Sequence, residues 1–281
     1  MVIRRRAIAA PAVVLLAALS ACTSSSSAAP DEDTDPSQAA TIVAAADPSL
    51  LPYNFLGEDG STWEGLNVEL AALLSAELGE TIVFESAGFD TIIPGLTSGR
   101  YDVALTGMFD TKERQKTVDF VDYLLAKNDF LTRGDFRDVA SMDDLCGEVV
   151  GIPGGALEAD LLAEASTACT DAGDAAISVQ EFADLDATIL ALTSGRIDVA
   201  PNDSAANAYV VAHNPADLKV SGEYLAEGYF AAGFAKDSEL TERFEDAVAA
   251  VIESGAYGDL LESWGIADRA MDAPIVNGSP F

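Results

Sequence analysis

Arg114 is the residue whose type and position best suit the binding of a carboxylate. It follows Thr111 by three positions, so the Thr111 hydroxyl can cap a helix whose first turn carries Arg114. A guanidinium offers a planar fork of N–H donors, and a helix N-terminus favours negative charge. This spacing predicts an anion-binding arginine, and the alternative is a solvated arginine on a helix surface.

A repeated segment supplies the framework around such a residue. Residues 96–104 return at 192–200, with Leu-Thr-Ser-Gly-Arg and Asp-Val-Ala identical in both copies. Each copy predicts a short helix that stops at its glycine and is followed by a buried strand. A solenoid needs more copies at a shorter period, so the repeat predicts two lobes of similar build.

Helix and strand signals alternate along the chain. Strands are predicted at residues 41–45, 81–84, 103–105, 149–152 and 177–179, and helices at 68–78, 90–98, 157–168 and 185–194. This alternation predicts an α/β fold with largely parallel sheets covered by helices. Ligands of such sheets bind beyond the carboxyl ends of strands, so the loops at 106–109, 153–156 and 202–204 are expected to meet at one cleft.

The N-terminus carries an export signal. Three arginines at positions 4–6 precede an apolar run at 7–19, and a Leu-Ser-Ala-Cys tetrapeptide ends at Cys22. The run is too short to span a bilayer comfortably and has the flanks of a secretory signal peptide. The tetrapeptide resembles the lipobox of bacterial lipoproteins, which implies removal of residues 1–21 and lipid attachment at Cys22. The alternative is an ordinary signal peptide with a coincidental cysteine. Residues 22–38 are rich in serine and acids and predict a flexible tether.

Charge and cysteine content exclude several classes of protein. The chain has 15 lysines and arginines against 47 acidic residues, a net charge of −32. Nucleic-acid binding is therefore excluded, because phosphate contacts need a basic surface. With Cys22 set aside for lipid attachment, two cysteines remain, Cys146 and Cys169. An exported protein enters an oxidising compartment, so this pair predicts a disulfide. They lack the close spacing of zinc ligands, and His213 is the only histidine, so we predict no metal and no cofactor.

Short motifs then follow one another in a specific order. They are Gly65-Leu66-Asn67-Val68-Glu69-Leu70, Phe89-Asp90-Thr91-Ile92-Ile93-Pro94, Ser98-Gly99-Arg100-Tyr101-Asp102, Gly107-Met108, Thr111-Lys112-Glu113-Arg114, Val118-Asp119-Phe120, Gly255-Ala256-Tyr257 and Trp264-Gly265. In this order, residues 41–267 resemble the bacterial extracellular solute-binding proteins of family 3, the receptors of polar amino-acid ABC importers.

The resemblance implies a periplasmic-binding-protein-like fold of type II, with two α/β lobes joined by a two-strand hinge. The first lobe would comprise residues 39–131 and 222–281, and the second residues 132–221. Extended crossings near 128–134 and 222–230 would form the hinge. The disulfide between Cys146 and Cys169 would then hold only the second lobe.

The resemblance also assigns ligand-binding residues. It implies that Arg114 pairs with the α-carboxylate of an amino acid and that Asp203 binds the α-ammonium. Closure of the lobes would complete both pairs. The alternative for Asp203 is a cap on a helix that begins at Ser204. Thr106 and Gly107 match positions that supply a hydroxyl and backbone donors.

Other positions depart from the family or form the walls of the pocket. Phe109 replaces a small hydroxyl residue, and Ala156 and Leu157 replace two threonines, although their backbone N–H groups remain available at a helix start. Phe89 and Tyr53 are candidates for aromatic walls of the pocket, and Leu50 is a candidate for an aliphatic wall. Asp47 is a candidate partner for a cationic side chain of the ligand. Core packing is the alternative for the aromatic residues. Glu158 is a further possible cation partner, for which a solvated helix position is favoured.

These features predict an extracytoplasmic substrate-binding component of an ABC importer that captures a small amino acid or amino-acid-like solute. It would be a monomer, anchored through Cys22 to the outer face of the cell membrane, with a membrane permease as its partner. The alternatives are a dehydratase-type enzyme on the same fold and a solute sensor. A nucleophile–histidine–acid set is not possible with His213 alone, so no enzyme is predicted. A carboxyl group with a raised pKa deep in the cleft, without Arg114 and Asp203 facing each other, would favour the enzyme.

Overall fold

A six-stranded and a five-stranded β-sheet divide the described residues into two α/β lobes, and residues 55–56 and 63–64 form a further two-stranded sheet. The computed structural model describes residues 40–213, 217–225 and 228–281. Its strands and helices, in chain order, are β1 (Thr41–Ala46), β2 (Phe55–Leu56), β3 (Trp63–Glu64), α1 (Leu66–Leu78), β4 (Thr81–Ser86), α2 (Phe89–Thr97), β5 (Val103–Phe109), β6 (Val118–Leu125), β7 (Asn128–Arg133), β8 (Val149–Pro153), α3 (Glu158–Ala172), β9 (Ser178–Phe182), α4 (Leu185–Thr193), β10 (Val199–Asp203), α5 (Ser204–His213), β11 (Leu218–Leu225), β12 (Tyr229–Ala235), α6 (Glu239–Glu253), α7 (Ala256–Ser263) and β13 (Ile275–Val276). The predicted export signal, the tether and Cys22 lie outside the described residues.

Each lobe is built on one mixed sheet. The first sheet has the order β13-β6-β12-β5-β1-β4, and the second has the order β11-β7-β10-β8-β9. The pairs that the βαβ pattern predicted are parallel, namely β1 with β4 and β5, and β8 with β9 and β10. The strands next to the crossings between lobes pair antiparallel. Among the described residues, no helix combines the length and the apolar composition needed to cross a membrane.

The chain passes between the lobes after β6 and again after β11. The first crossing lies between Leu125 and Asn128, and the second follows the end of β11 at Leu225 and precedes the start of β12 at Tyr229. Residues 128–131 and 222–225, assigned to the first lobe from the sequence, belong to the second sheet instead. The reason is that β7 pairs with β11 along its whole length, from Asn128 to Arg133.

The repeated segment forms equivalent elements in the two lobes, α2 with β5 and α4 with β10. Gly99 and Gly195 end the two helices at φ values of 72° and 74°, a region that favours glycine. The loops expected at 106–109 and 202–204 are wrong, because β5 continues to Phe109, and β10 continues to Asp203 and is followed directly by α5. Phe230 of β12 pairs with Phe109 and extends the ladder that far.

The disulfide predicted from the sequence is present between Cys146 and Cys169, 23 positions apart. It ties α3 to the segment before β8 within the second lobe. Replacing both cysteines with alanine is expected to lower the free energy of unfolding by about 3 kcal/mol, because the bond restricts the unfolded chain. Urea denaturation of both proteins without reductant measures this difference, and equal midpoints would contradict it.

Two buried carboxyl groups hold the last described segment against the first sheet. Oδ2 of Asp110 accepts the N–H of Ser279 at 3.0 Å, and Oδ2 of Asp122 accepts the N–H of Gly278 at 3.1 Å. Burial, followed by the neighbouring charge of Asp110, raises the pKa of Asp122 to about 8. Near neutral pH the folded chain therefore keeps a proton on Asp122.

Asp122→Asn is expected to stabilise the protein at pH 8 and to have a smaller effect at pH 5. The pKa of Asp122 rises from 3.8 to about 8 on folding, so its contribution to stability falls as the pH rises between these values. The slope approaches roughly 1.4 kcal/mol per pH unit. An amide stays neutral and removes this dependence. Free energies of unfolding for both proteins from pH 5 to 9 test it, and a difference that does not vary with pH would contradict it.

Candidate functional site

A cavity lies between the two lobes, where the carboxyl ends of β5, β8 and β10 meet, and we call it the cleft cavity. Its lining from the first lobe is Asp47, Ser49, Leu50, Phe89, Gly107, Phe109, Arg114 and Phe230. Its lining from the second lobe is Pro153, Ala156, Leu157, Glu158, Leu185, Asn202 and Asp203. The three segments expected to converge therefore do so.

Arg114 lies in this cavity and connects the lobes. Oγ1 of Thr111 accepts its backbone N–H at 3.2 Å, as the spacing predicted, although the helix is only a single 3₁₀ turn, Arg114–Lys116. Nη1 donates to the carbonyl of Phe109 at 2.7 Å, and Nη2 donates to the carbonyl of Gly155 at 2.8 Å. These bonds use two of the five donors of the guanidinium. Burial lowers the pKa of Arg114 to about 10, so the group remains a cation at neutral pH.

Asp203 caps a helix and also lines the cleft cavity. It lines the cavity, and its Oδ1 accepts the N–H groups of Ala205 and Ala206 at 2.9 and 3.1 Å, which caps α5. Oδ1 also accepts the hydroxyl of Tyr53 at 2.9 Å. Oδ2 lies 2.7 Å from Nη1 of Arg269, a residue that the sequence analysis did not identify. Binding of an α-ammonium by Asp203 stays a prediction.

Asp47 stands at the first-lobe wall of the cavity. Its Oδ1 accepts the backbone N–H and the hydroxyl of Ser49 at 2.9 and 2.7 Å. Ser49 Oγ in turn accepts the N–H of Leu185 from the second lobe at 3.3 Å. Burial raises the pKa of Asp47, and the hydrogen bonds from Ser49 offset part of that rise. An adjacent cation would favour the ionised carboxylate.

Glu158 is a second carboxyl group of the cavity, and the solvated position favoured for it is wrong. It is 6% exposed at the start of α3. The hydroxyl of Tyr224 donates to Oε1 at 2.6 Å, and Nδ2 of Asn128 lies 3.4 Å from the same oxygen. Burial raises the pKa of Glu158. The helix begins inside the cleft, which a sequence pattern for a surface helix does not reveal.

The walls between these charges are apolar. Phe109 and Phe230 pack edge to face with centroids 5.0 Å apart, and the ring of Phe89 lies 5.5 Å from the guanidinium carbon of Arg114. Leu50 and Leu157 line the cavity as predicted. The side chains at positions 109, 156 and 157 therefore contribute apolar surface in place of hydroxyl groups.

Tyr53, predicted as a wall, and Thr106, predicted to supply a hydroxyl, lie behind the wall of the cavity instead. Tyr53 is fully buried against Phe230, with centroids 5.1 Å apart, and it contacts Asp203 rather than the cavity. Thr106 is also fully buried, and its Oγ1 accepts the backbone N–H of Asp47 at 2.9 Å. Each residue therefore forms a hydrogen bond with an aspartate that lines the cavity, Tyr53 with Asp203 and Thr106 with Asp47. Burial by neighbouring segments is the reason for the difference.

Backbone geometry shapes two edges of the cavity. Gly107 has φ +64°, and a Cβ there would lie 2.6 Å from Cδ2 of Leu50. Gly155 has φ +76°, and a Cβ there would lie 3.3 Å from Cα of Asp90 in the opposite lobe. The N–H of Ala156 bonds to the carbonyl of Pro153 at 3.3 Å. Glycine at position 155 therefore permits close contact between the lobes.

Four residues of the site were not predicted, namely Ser49, Leu185, Phe230 and Arg269, and Pro153 and Asn202 were predicted only as parts of the segments 153–156 and 202–204. Asn202 had a usable signal, because it directly precedes Asp203 at the end of a predicted strand. Asn202 lines the cavity, and its buried Nδ2 has no hydrogen-bond partner among the described residues. The other residues reach the cleft only through folding.

Two α/β lobes around a cleft that contains one arginine and several carboxylates define a two-lobed solute-binding protein. The chain belongs to the bacterial extracellular solute-binding proteins, family 3, whose model matches residues 42–267. Members of this family act outside the cytoplasm, so the chain is extracytoplasmic.

Individual relatives are similar over most of their length. The arginine-binding protein ArgT of Corynebacterium glutamicum is 25% identical over 246 residues, which cover 87% of this chain and 81% of that protein. The arginine-binding extracellular protein ArtP of Bacillus subtilis is 29% identical, over 76% of this chain and 81% of that protein. Among solved structures, an ancestral arginine-binding protein bound to arginine has a TM-score of 0.73 and 30% identity, over 80% of this chain and 97% of that chain.

Proposed function

We propose that the chain is the amino-acid-binding component of an ABC importer and that its solute is a cationic amino acid. The observation that carries this proposal is the placement of Arg114, Asp47 and Glu158 around one cleft between two lobes. Arg114 would bind the α-carboxylate, because a guanidinium suits a carboxylate in both charge and shape. The arginine-binding relatives support this ligand class.

The charges of the cleft favour a solute with net positive charge. Asp47, Glu158 and Asp203 bring three carboxylates, and Arg114 and Arg269 bring two guanidinium groups. Once Arg114 holds a solute carboxylate, Asp47 and Glu158 keep only neutral partners, namely Ser49, Tyr224 and Asn128. Buried charges need opposite charges, which an amino acid with a cationic side chain supplies.

Delivery of the solute requires attachment to the membrane and contact with a permease. Cys22, the predicted attachment residue, lies outside the described residues. We propose that Cys22 carries a lipid that holds the protein at the outer face of the membrane. The protein would act there as a monomer that docks on a membrane permease. The replacement Cys22→Ser is expected to release the protein into the medium. Retention of the variant in the membrane fraction would contradict the anchor.

The proposed ligand class is tested by thermal unfolding in the presence of the common amino acids, dicarboxylates and polyamines. A ligand at 100 times its dissociation constant is expected to add about 2.7 kcal/mol to the free energy of unfolding. We expect arginine, lysine or histidine to give the largest shift. A response to dicarboxylates alone would contradict the cationic ligand, and a response to no amino acid would contradict the function.

Glu158 favours one alternative, a cleft enzyme that uses a carboxylic acid. It is buried in the cavity with a raised pKa, as a general acid would be. The two functions differ in what happens to a bound solute during long incubation. A binding protein returns the solute unchanged. A product that wild type forms and the Glu158→Gln variant does not form would favour the enzyme.

A further inference from the structure

Arg269 and Asp203 form a buried ion pair between the lobes. Arg269 ends the turn Ala267–Arg269 that follows α7, and Asp203 ends β10 in the second sheet. The two side chains are 5% and 1% exposed. Ion pairs elsewhere in residues 40–213, 217–225 and 228–281 have both partners at least 16% exposed. Water therefore screens this pair least.

The position of Arg269 is tightly determined. Its Nη1 donates to Tyr53 Oη at 2.8 Å as well as to Oδ2 of Asp203, and its Nη2 donates to Oγ of Ser204. Burial by itself lowers the pKa of Arg269, but attraction to the charge of Asp203 outweighs burial and raises it. The guanidinium is therefore a fixed cation directly beside Asp203.

The carboxylate of Asp203 has little capacity left for a ligand. Three donors meet at its Oδ1, namely Tyr53 Oη and the N–H groups of Ala205 and Ala206, and Arg269 takes Oδ2. A carboxylate has about four lone-pair sites. An ammonium that reaches Asp203 shares Oδ2 with a guanidinium, and the pair that it meets has no net charge.

We propose that Arg269 is a specificity-determining residue that supplies the positive charge for Asp203 in place of the α-ammonium of the solute. This proposal rests on the proposed amino-acid binding. As a result, the pocket selects the distal cation of the solute, through Asp47 and Glu158, more strongly than its α-ammonium. A solute that lacks the α-ammonium but keeps its carboxylate and its distal cation is still bound.

The test compares matched pairs of probes. L-arginine, L-lysine and L-histidine are each paired with the carboxylic acid in which hydrogen replaces the α-ammonium, namely 5-guanidinopentanoate, 6-aminohexanoate and imidazole-4-propanoate. For each pair, calorimetry measures the ratio of the two dissociation constants. The proteins are wild type, Arg269→Met and the double variant Asp203→Asn/Arg269→Met.

We expect loss of the α-ammonium to weaken binding to wild type by less than about tenfold, which corresponds to 1.4 kcal/mol. In Arg269→Met, the ratio is expected to rise at least about tenfold further, because Asp203 is left as a buried charge that only the ammonium neutralises. In the double variant, no charge remains at either position, and the ratio is expected to return to the wild-type value.

Equal ratios in wild type and Arg269→Met would overturn the role of Arg269 and leave amino-acid binding intact. If Arg269→Met does not fold, the wild-type protein still tests the proposal. A loss of affinity above about 100-fold on removal of the α-ammonium would overturn the role of Arg269. If no probe binds wild type, the proposed cationic ligand class is wrong. The pairing of Arg269 with Asp203 is then tested by the unfolding midpoints of the single and double variants. Each single variant, Asp203→Asn or Arg269→Met, is then expected to lose more stability than the double variant, and additive losses would overturn the proposal.

Discussion

Replacing Arg114 with alanine is expected to weaken binding of the best amino-acid ligand by at least about 100-fold. Hydrogen bonds to a charged group contribute roughly 1.5–3 kcal/mol each, and a carboxylate on the guanidinium forms two of them. Each 1.4 kcal/mol corresponds to about tenfold in the dissociation constant. The variant also loses the contact from Nη2 to the carbonyl of Gly155 in the other lobe. Titration calorimetry measures the change.

The control for Arg114 is Arg100→Ala. The Arg100 side chain is 66% exposed and lies 4.0 Å from Glu85, away from the cleft. Its replacement removes the same charge without touching the cavity, and we expect the affinity to stay within about twofold, because exposed ion pairs contribute little. Arg114→Lys keeps the charge but not the fork, so partial recovery is expected. Equal affinities of Arg114→Ala and Arg100→Ala would contradict the assignment of the carboxylate.

Gly155→Val is expected to weaken ligand binding by about 10- to 100-fold, because a side chain there keeps the lobes apart. A Cβ would already lie 3.3 Å from Cα of Asp90, and the two methyl groups of valine extend further. Overpacking of this kind costs about 1–3 kcal/mol, which sets the expected range in affinity. Calorimetry gives the affinity, and small-angle scattering with saturating ligand is expected to show a larger radius of gyration than wild type.

Gly195→Val separates lobe contact from backbone strain. Gly195 has φ +74°, close to the +76° of Gly155, but a Cβ there meets nothing within 4 Å. Both valines are therefore expected to reduce stability through strain at positive φ, while only the one at position 155 reduces affinity. Similar losses of affinity in the two variants would show that strain in the second lobe, and not contact between the lobes, is responsible.

Much of the fold could be predicted because its signals are local. The alternation of apolar periods placed the helices and strands of the βαβ units, and Gly99 and Gly195 marked the ends of two helices. The lobe boundaries were harder to predict from the sequence. Residues 128–131 and 222–225 form extended chain, and the sequence pattern of a strand does not show which of the two sheets it joins. Backbone pairing between β7 and β11 assigns both segments to the second sheet.

The site separates in the same way into residues with a local signal and residues without one. Arg114 was identified from its type, its distance from Thr111 and the resemblance to the family, and it lies in the cavity. Tyr53 and Thr106 had equally suitable types, but packing places them behind the wall. Glu158 had the pattern of a surface helix and is buried in the cleft.

The sequence by itself determined the class of fold, the disulfide, the two-lobed plan and the arginine of the cleft, because each depends on short-range patterns or on residue type. Only the tertiary structure decided which charges meet. Arg269 and Asp203 are 66 positions apart and lie on different lobes, and no local pattern relates them. Their pairing depends on how the turn Ala267–Arg269 and the end of β10 come together between the lobes, because a buried charge finds its partner through the packing of distant segments.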